Sequence, residues 1–157
     1  MAEPDGEKTR PNIHATALVV GETGILIQGP AGSGKSRLAA GFIQAAGVAG
    51  RFAALVADDQ VLLQAAGGRI LAIAPEPTQG LFEVRGAGIV HVPFLRRAVM
   101  HIAVAVGDVS TASRLPDPAL RRELIDGLTL PLLYLQPNRL PDPYEIVMAR
   151  LENRLLA

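Results

Sequence analysis

Apolar runs and their interruptions divide the chain into short elements. Ile13 to Val20 is β-rich, Gly21-Glu22-Thr23-Gly24 reads as a turn, and Ile25-Leu26-Ile27-Gln28 is a second apolar strand, which predicts a hairpin. A glycine-rich segment, 29 to 34, then leads into Lys35 to Ala46. Good helix formers there, with Leu38, Phe42 and Ile43 at helical spacing, predict a helix that stops at Gly47. Phe52 to Ala57 is continuously apolar and ends in Asp58-Asp59, the pattern of a strand buried on both faces. Val61 to Ala66 and Arg69 to Ala74 flank Gly67-Gly68 and predict a tight hairpin, followed by a loop over 75 to 80.

Leu81 to Val84, Ile89 to Val92 and Met100 to Val106 are further strand candidates. So is Leu128 to Leu135, where Pro131 argues for an edge or a bulge. Asp142 as N-cap, Pro143 at the first helical position and Glu145 three residues after the cap predict a closing helix over about 143 to 156. Its Ile146, Val147, Ala149, Arg150 and Leu151 are read as one face. Many strands and few helices point to an α/β fold with a mixed sheet and helices packed on it. Residues 1 to 11 are polar, hold two prolines and lack periodicity, so they are expected to form a disordered arm before a single domain over 12 to 157.

Composition narrows the partners. Fifteen basic and fifteen acidic residues balance to zero, which argues against a broad nucleic-acid surface while leaving a compact anion pocket open. The absence of cysteine excludes disulfides and thiolate metal sites. No apolar run reaches the roughly 18 to 20 residues that span a bilayer, and MAEPDGEKTR lacks the apolar segment of a secretory signal. A soluble, cytoplasmic protein is expected. Thirteen of the basic residues are arginine; the two lysines are Lys8, in the polar arm, and Lys35.

Lys35 closes the segment Gly29-Pro30-Ala31-Gly32-Ser33-Gly34-Lys35-Ser36, a complete G-x-x-x-x-G-K-[ST] phosphate loop placed after a strand and opening a helix. Glycines turn successive N–H groups inward as an anion nest, and the helix start adds its positive end. Lys35 then reaches the β- and γ-phosphates, and the Ser36 hydroxyl can ligate Mg²⁺. Asp58 and Asp59, at the end of an apolar strand, supply the acids that phosphoryl transfer needs: the first for the magnesium shell, the second for the nucleophile. An Asp-Asp pair that merely opens a turn is the alternative.

Four segments in this order resemble the catalytic domain of the HPr serine kinase/phosphorylase family. They are Asn12-Ile13-His14-Ala15-Thr16, the phosphate loop, Val56-Ala57-Asp58-Asp59, and Leu81-Phe82-Glu83-Val84-Arg85-Gly86-Ala87-Gly88-Ile89-Val90. The last is the discriminating one, because phosphate loops occur in many enzymes. The resemblance covers about residues 12 to 115. It implies a P-loop kinase fold related to phosphoenolpyruvate carboxykinase, with ATP and Mg²⁺ as cofactors. The implied reaction is phosphorylation of a serine on the phosphocarrier HPr, regulating the phosphotransferase system and carbon metabolism, with phosphorolysis as its reverse. It also implies a homo-oligomer, since full-length members are hexameric.

By the same resemblance Lys35 is the phosphate-binding lysine, Ser36 and Glu83 are magnesium ligands, His14 is an active-site histidine and Asp59 is the proton acceptor. Arg114, in Ser113-Arg114-Leu115, matches the later catalytic arginine. Glu83 and Arg85, two apart on one strand, could instead form a plain ion pair on one face. His91 and His101 carry no motif and are read as structural or surface residues. Full-length members have a further N-terminal domain, and their phosphorolysis segment holds Pro-Gly-Arg where this chain has Pro137-Asn138-Arg139. A small-molecule kinase on the same scaffold and a non-catalytic nucleotide sensor are the competing readings.

Overall fold

A computed structural model describes residues 10–84, 86–107, 119–136 and 142–152. Among them, strands β1 (Asn12–Ile13), β2 (Ala15–Val20), β3 (Thr23–Gln28), β4 (Ala53–Ala57), β5 (Val61–Ala66) and β6 (Arg69–Ile73) form the first half. Strands β7 (Leu81–Val84), β8 (Gly88–His91), β9 (Arg97–Met100), β10 (Ile102–Val106), β11 (Arg121–Ile125) and β12 (Leu128–Leu135) form the second. Helix α1 (Lys35–Val48) follows β3, and α2 (Pro143–Leu151) follows β12.

The strands make a six-stranded sheet in the order β11-β12-β10-β3-β2-β4, a four-stranded sheet β1-β5-β6-β9 and a two-stranded ribbon β7-β8. In the larger sheet β10 runs parallel to β3 and β12, while β2 is antiparallel to both β3 and β4. This is the mixed α/β architecture that the strand-rich pattern predicts.

Side-chain alternation sorts the core into two layers. Leu18, Val20, Ile25, Ile27, Ile102, Val104 and Val106 face the helices, where they pack with Leu38, Phe42, Tyr144 and Val147. The opposite parity, Ala15, Ala17, Val19, Leu26, Ala103 and Ala105, faces Val61, Leu63, Ile70 and Ala72 of the smaller sheet. Alanine on that side lets the two sheets close together, whereas the bulkier aliphatics fill the thicker helix layer. The edge strand β4 is covered as well, because Leu95 N donates to Leu55 O at 2.8 Å. All four residues Ala54 to Ala57 are accordingly buried.

Several boundaries depart from the sequence pattern for identifiable reasons. α1 continues through Gly47 to Val48, and Gly50 just beyond it, with a φ of 70°, permits the paired closing bonds Arg51 N to Ala46 O and Gly50 N to Gly47 O. The run 100 to 106 is two strands in different sheets. His101 separates them, with its Nδ1 accepting from Gly24 N at 2.9 Å and its own N donating to Gly24 O at 2.8 Å. Pro131 lies inside the sheet, paired with Arg121; the irregularity falls between Glu123 and Ile125 of the edge strand β11. In α2 the buried residues are Tyr144, Val147 and Met148, a spacing that fits 3.6 residues per turn better than the face centred on Ala149. Asp142 caps this helix, accepting from Tyr144 N at 2.8 Å. At the other end Pro11, expected in the arm, is tied in: its carbonyl accepts from Leu63 N.

Candidate active site

Register brings the distant segments of the sequence to one end of the large sheet. β3 delivers the phosphate loop at its carboxyl end, and Ala15 pairs with Gln28, so His14 enters beside the loop. β4 points the same way as β3, and the pairing of Ala17 with Ala57 sets Asp58 next to Thr16. Carboxyl ends of strands are where open α/β sheets bind ligands. An open cleft of about 1150 Å³ occupies this end, lined by His14, residues 31 to 36, Asp59, Gln60 and the ribbon residues Phe82, Glu83 and Val84.

The loop's geometry explains its composition. A Cβ on Gly29 would lie 2.5 Å from Val106 O and 2.6 Å from Ser33 Oγ, so any side chain there displaces backbone. Gly34 is the N-cap of α1 with φ 97°, a conformation that other residues rarely adopt. It carries no side chain to cap the helix, and the first turn holds no acid, which leaves the positive end of the dipole to a ligand. Lys35 is only 6% exposed and folds back on the loop, its Nζ donating to Gly29 O at 3.0 Å and Pro30 O at 3.1 Å.

The adjacent aspartates have different surroundings. Asp58 is 8% exposed, and its Oδ1 accepts from Ser36 Oγ at 2.7 Å and from Thr16 Oγ1 at 2.9 Å. Asp59 has φ 69°, and Gln60 N donates to Asp58 O at 2.9 Å around it, a tight turn that redirects its side chain. It meets His14 in the cleft, with Nε2 2.6 Å from Oδ1. This pair is open to solvent, 46% exposed for His14 and 71% for Asp59.

Glu83, opposite Ile89 in the ribbon, lines the same cleft. Among the described residues no three His, Cys, Asp or Glu side chains converge as a preformed metal cage. A magnesium ion fits such a site, because it keeps several waters and takes one or two carboxylates together with substrate phosphates. Ser36 and Asp58 are the pair already in contact. Arg114, Arg85 and Pro137-Asn138-Arg139 lie outside the described residues. His101 bonds Gly24 and His91 pairs with Leu81 in the ribbon. The structure also gives a place at the site to Thr16, a residue to which the sequence reading assigned no role and which looks like an ordinary β-branched strand residue in sequence.

Residues 8–99 match the family described as HPr Serine kinase C-terminal domain. The chain belongs to this family. Among its curated relatives, the HPr kinase/phosphorylase of Clostridium tetani is 40% identical over 91 residues, which is 57% of this chain and 28% of that protein. The HPr kinase/phosphorylase of Mycoplasmopsis pulmonis is 38% identical over 80 residues, 51% of this chain and 24% of that one. The chain thus aligns with about a quarter of the length of these relatives. The solved Hpr(Ser) kinase/phosphatase from Coxiella burnetii superposes with a TM-score of 0.73 at 24% identity, covering 92% of this chain and 90% of that one. Membership in the HPr serine kinase family and the fold found therefore agree, and the α/β P-loop architecture expected from the motifs is the one present. Among the described residues no helix is long and apolar enough to cross a membrane.

Proposed function

We propose that the chain is a single catalytic domain over residues 12–157 that transfers the γ-phosphoryl group of ATP to a serine of HPr or an HPr-like phosphocarrier. The observation that carries this reading is the meeting of the Asp59–His14 pair with the phosphate loop in one open cleft. Lys35 leaves its two loop carbonyls to reach the β- and γ-phosphates, where it offsets developing charge. The loop N–H groups and the start of α1 hold the remaining phosphate oxygens. Ser36, Asp58 and Glu83 would hold Mg²⁺. The bound ion supplies neutralisation of phosphate charge. Asp59, exposed at the cleft, orients the incoming serine hydroxyl and accepts its proton as the bond to phosphorus forms. His14 fixes the Asp59 carboxylate from the other side. Arg114 is assigned to the transferring phosphoryl group by family resemblance. The breadth and exposure of the cleft favour a protein acceptor over a small molecule.

ATP consumption with and without HPr separates the readings. A protein kinase consumes ATP in proportion to phosphoserine formed on HPr. A nucleotide sensor binds ATP without consuming it, and a small-molecule kinase ignores HPr. Either of the last two outcomes overturns the proposal. The cytoplasm is the compartment proposed, since HPr-like carriers and ATP would both be met there; assembly into a homo-oligomer is proposed from the family alone.

A further inference from the structure

Among the described residues three polar or charged side chains are buried: Thr16, Lys35 and Asp58. Lys35 and Asp58 belong to the proposed phosphoryl-transfer site. Thr16 belongs to none of its motif roles. It is 0% exposed, on a strand whose other residues are alanine, leucine and valine. It shares the parity of Leu18 and Val20, on the helix-facing side. Valine would fit this position with nearly the same shape, so the hydroxyl is costly there unless it is hydrogen-bonded.

Its bond goes to Asp58. The antiparallel pairing of Ala17 with Ala57 brings Thr16 alongside, and its Oγ1 donates to Asp58 Oδ1 at 2.9 Å. Ser36 Oγ donates to the same oxygen at 2.7 Å. Two hydroxyls from different elements, a sheet strand and the first turn of a helix, therefore fix one carboxylate oxygen. Among the described residues Oδ2 takes no hydrogen bond, so it is the oxygen left for a water or cation. The Ser36 anchor changes its task when its oxygen meets a metal; the Thr16 anchor is buried behind the site and does not.

We propose that Thr16 is a positioning residue for the magnesium–nucleotide site, holding Asp58 so that its free oxygen and the Ser36 hydroxyl face the ion together. The inference rests on the phosphoryl-transfer reading of the cleft. Outer partners of this kind typically alter metal affinity by about 10- to 100-fold when removed. Thr16→Val should accordingly raise the Mg²⁺ concentration needed for half-maximal ATP binding by about tenfold, the lower end of that range.

The test is calorimetry of ATP binding to the full chain across a Mg²⁺ titration and in chelator, for the wild type, Thr16→Val, Thr16→Ala and Thr16→Ser. Both variants without the hydroxyl should shift the Mg²⁺ midpoint while leaving metal-free ATP binding unchanged, and Thr16→Ser should restore it. In an Asp58→Asn background Thr16→Val should add no further shift. Thr16→Ala gives the reading on its own if Thr16→Val does not fold. Wild-type midpoints in the hydroxyl-free variants, or an equal loss of ATP binding with and without metal, overturn the role of Thr16 alone. A wild-type chain that binds ATP with no Mg²⁺ dependence overturns the phosphoryl-transfer reading as well.

Discussion

Asp59→Asn separates chemistry from architecture at the point where the two aspartates diverge. The substitution keeps the size of the side chain and its capacity to hydrogen-bond. Backbone strain is also unchanged, because asparagine tolerates the φ of 69° about as well as aspartate does. The pair with His14 is largely solvent-exposed, so losing its charge should cost stability only about 0–1 kcal/mol. Loss of the proton acceptor should slow phosphoryl transfer about 10² to 10⁴-fold, equivalent to roughly 3–5 kcal/mol of barrier. Nucleotide affinity should be nearly unaffected, since the proposed nucleotide contacts are the loop and Lys35. Rates of phosphoserine formation, calorimetric ATP affinity and thermal unfolding read these three quantities independently. Asp58→Asn is the internal contrast: it should raise the Mg²⁺ requirement, and added metal should recover part of its activity. A variant at Asp59 that keeps transfer within tenfold, or that loses ATP affinity in step with rate, is incompatible with Asp59 as the proton acceptor. Metal rescue of Asp59→Asn and not of Asp58→Asn means the two roles are exchanged.

Lys35→Ala should abolish transfer. It should also lower stability by about 1–3 kcal/mol, because two loop carbonyls lose a charged donor; unchanged transfer in a folded variant removes the loop from the mechanism. Gly29→Ala places a methyl against Val106 O and should cost about 1–3 kcal/mol while weakening ATP binding, checked by unfolding and calorimetry. Wild-type values there mean that the loop is not packed against β10 as described. If Pro137-Asn138-Arg139 stands in for the phosphorolysis segment, pyrophosphate formation from phospho-HPr should be much slower than the kinase direction at saturation. Comparable rates contradict that.

The elements that were legible in sequence are those whose apolar period agrees with a local stop signal. The phosphate loop, the hairpin turning at Gly67-Gly68 and the cap at Asp142 are of this kind. β9 was not legible, because Arg97 to Met100 abuts the apolar run of β10 and a sheet-to-sheet crossing at His101 leaves no mark in hydropathy. β11 was missed because Arg121, Arg122 and Glu123 read as surface; the strand is an edge, held through its pairing with β12. For the cleft, motif order indicated which residues to watch, but their convergence depends on antiparallel register between β2, β3 and β4. The bond from Thr16 to Asp58 spans 42 residues, and a threonine in a β-rich run signals nothing but strand propensity.

The cleft is proposed to carry phosphoryl from ATP to a serine of HPr, and intact-mass measurement of HPr after incubation with the chain, Mg²⁺ and ATP reads that transfer. HPr should gain one phosphoryl group, mapped to a serine, absent with Lys35→Ala and strongly slowed with Asp59→Asn. HPr of unchanged mass, with a folded chain that binds ATP and Mg²⁺, would contradict it.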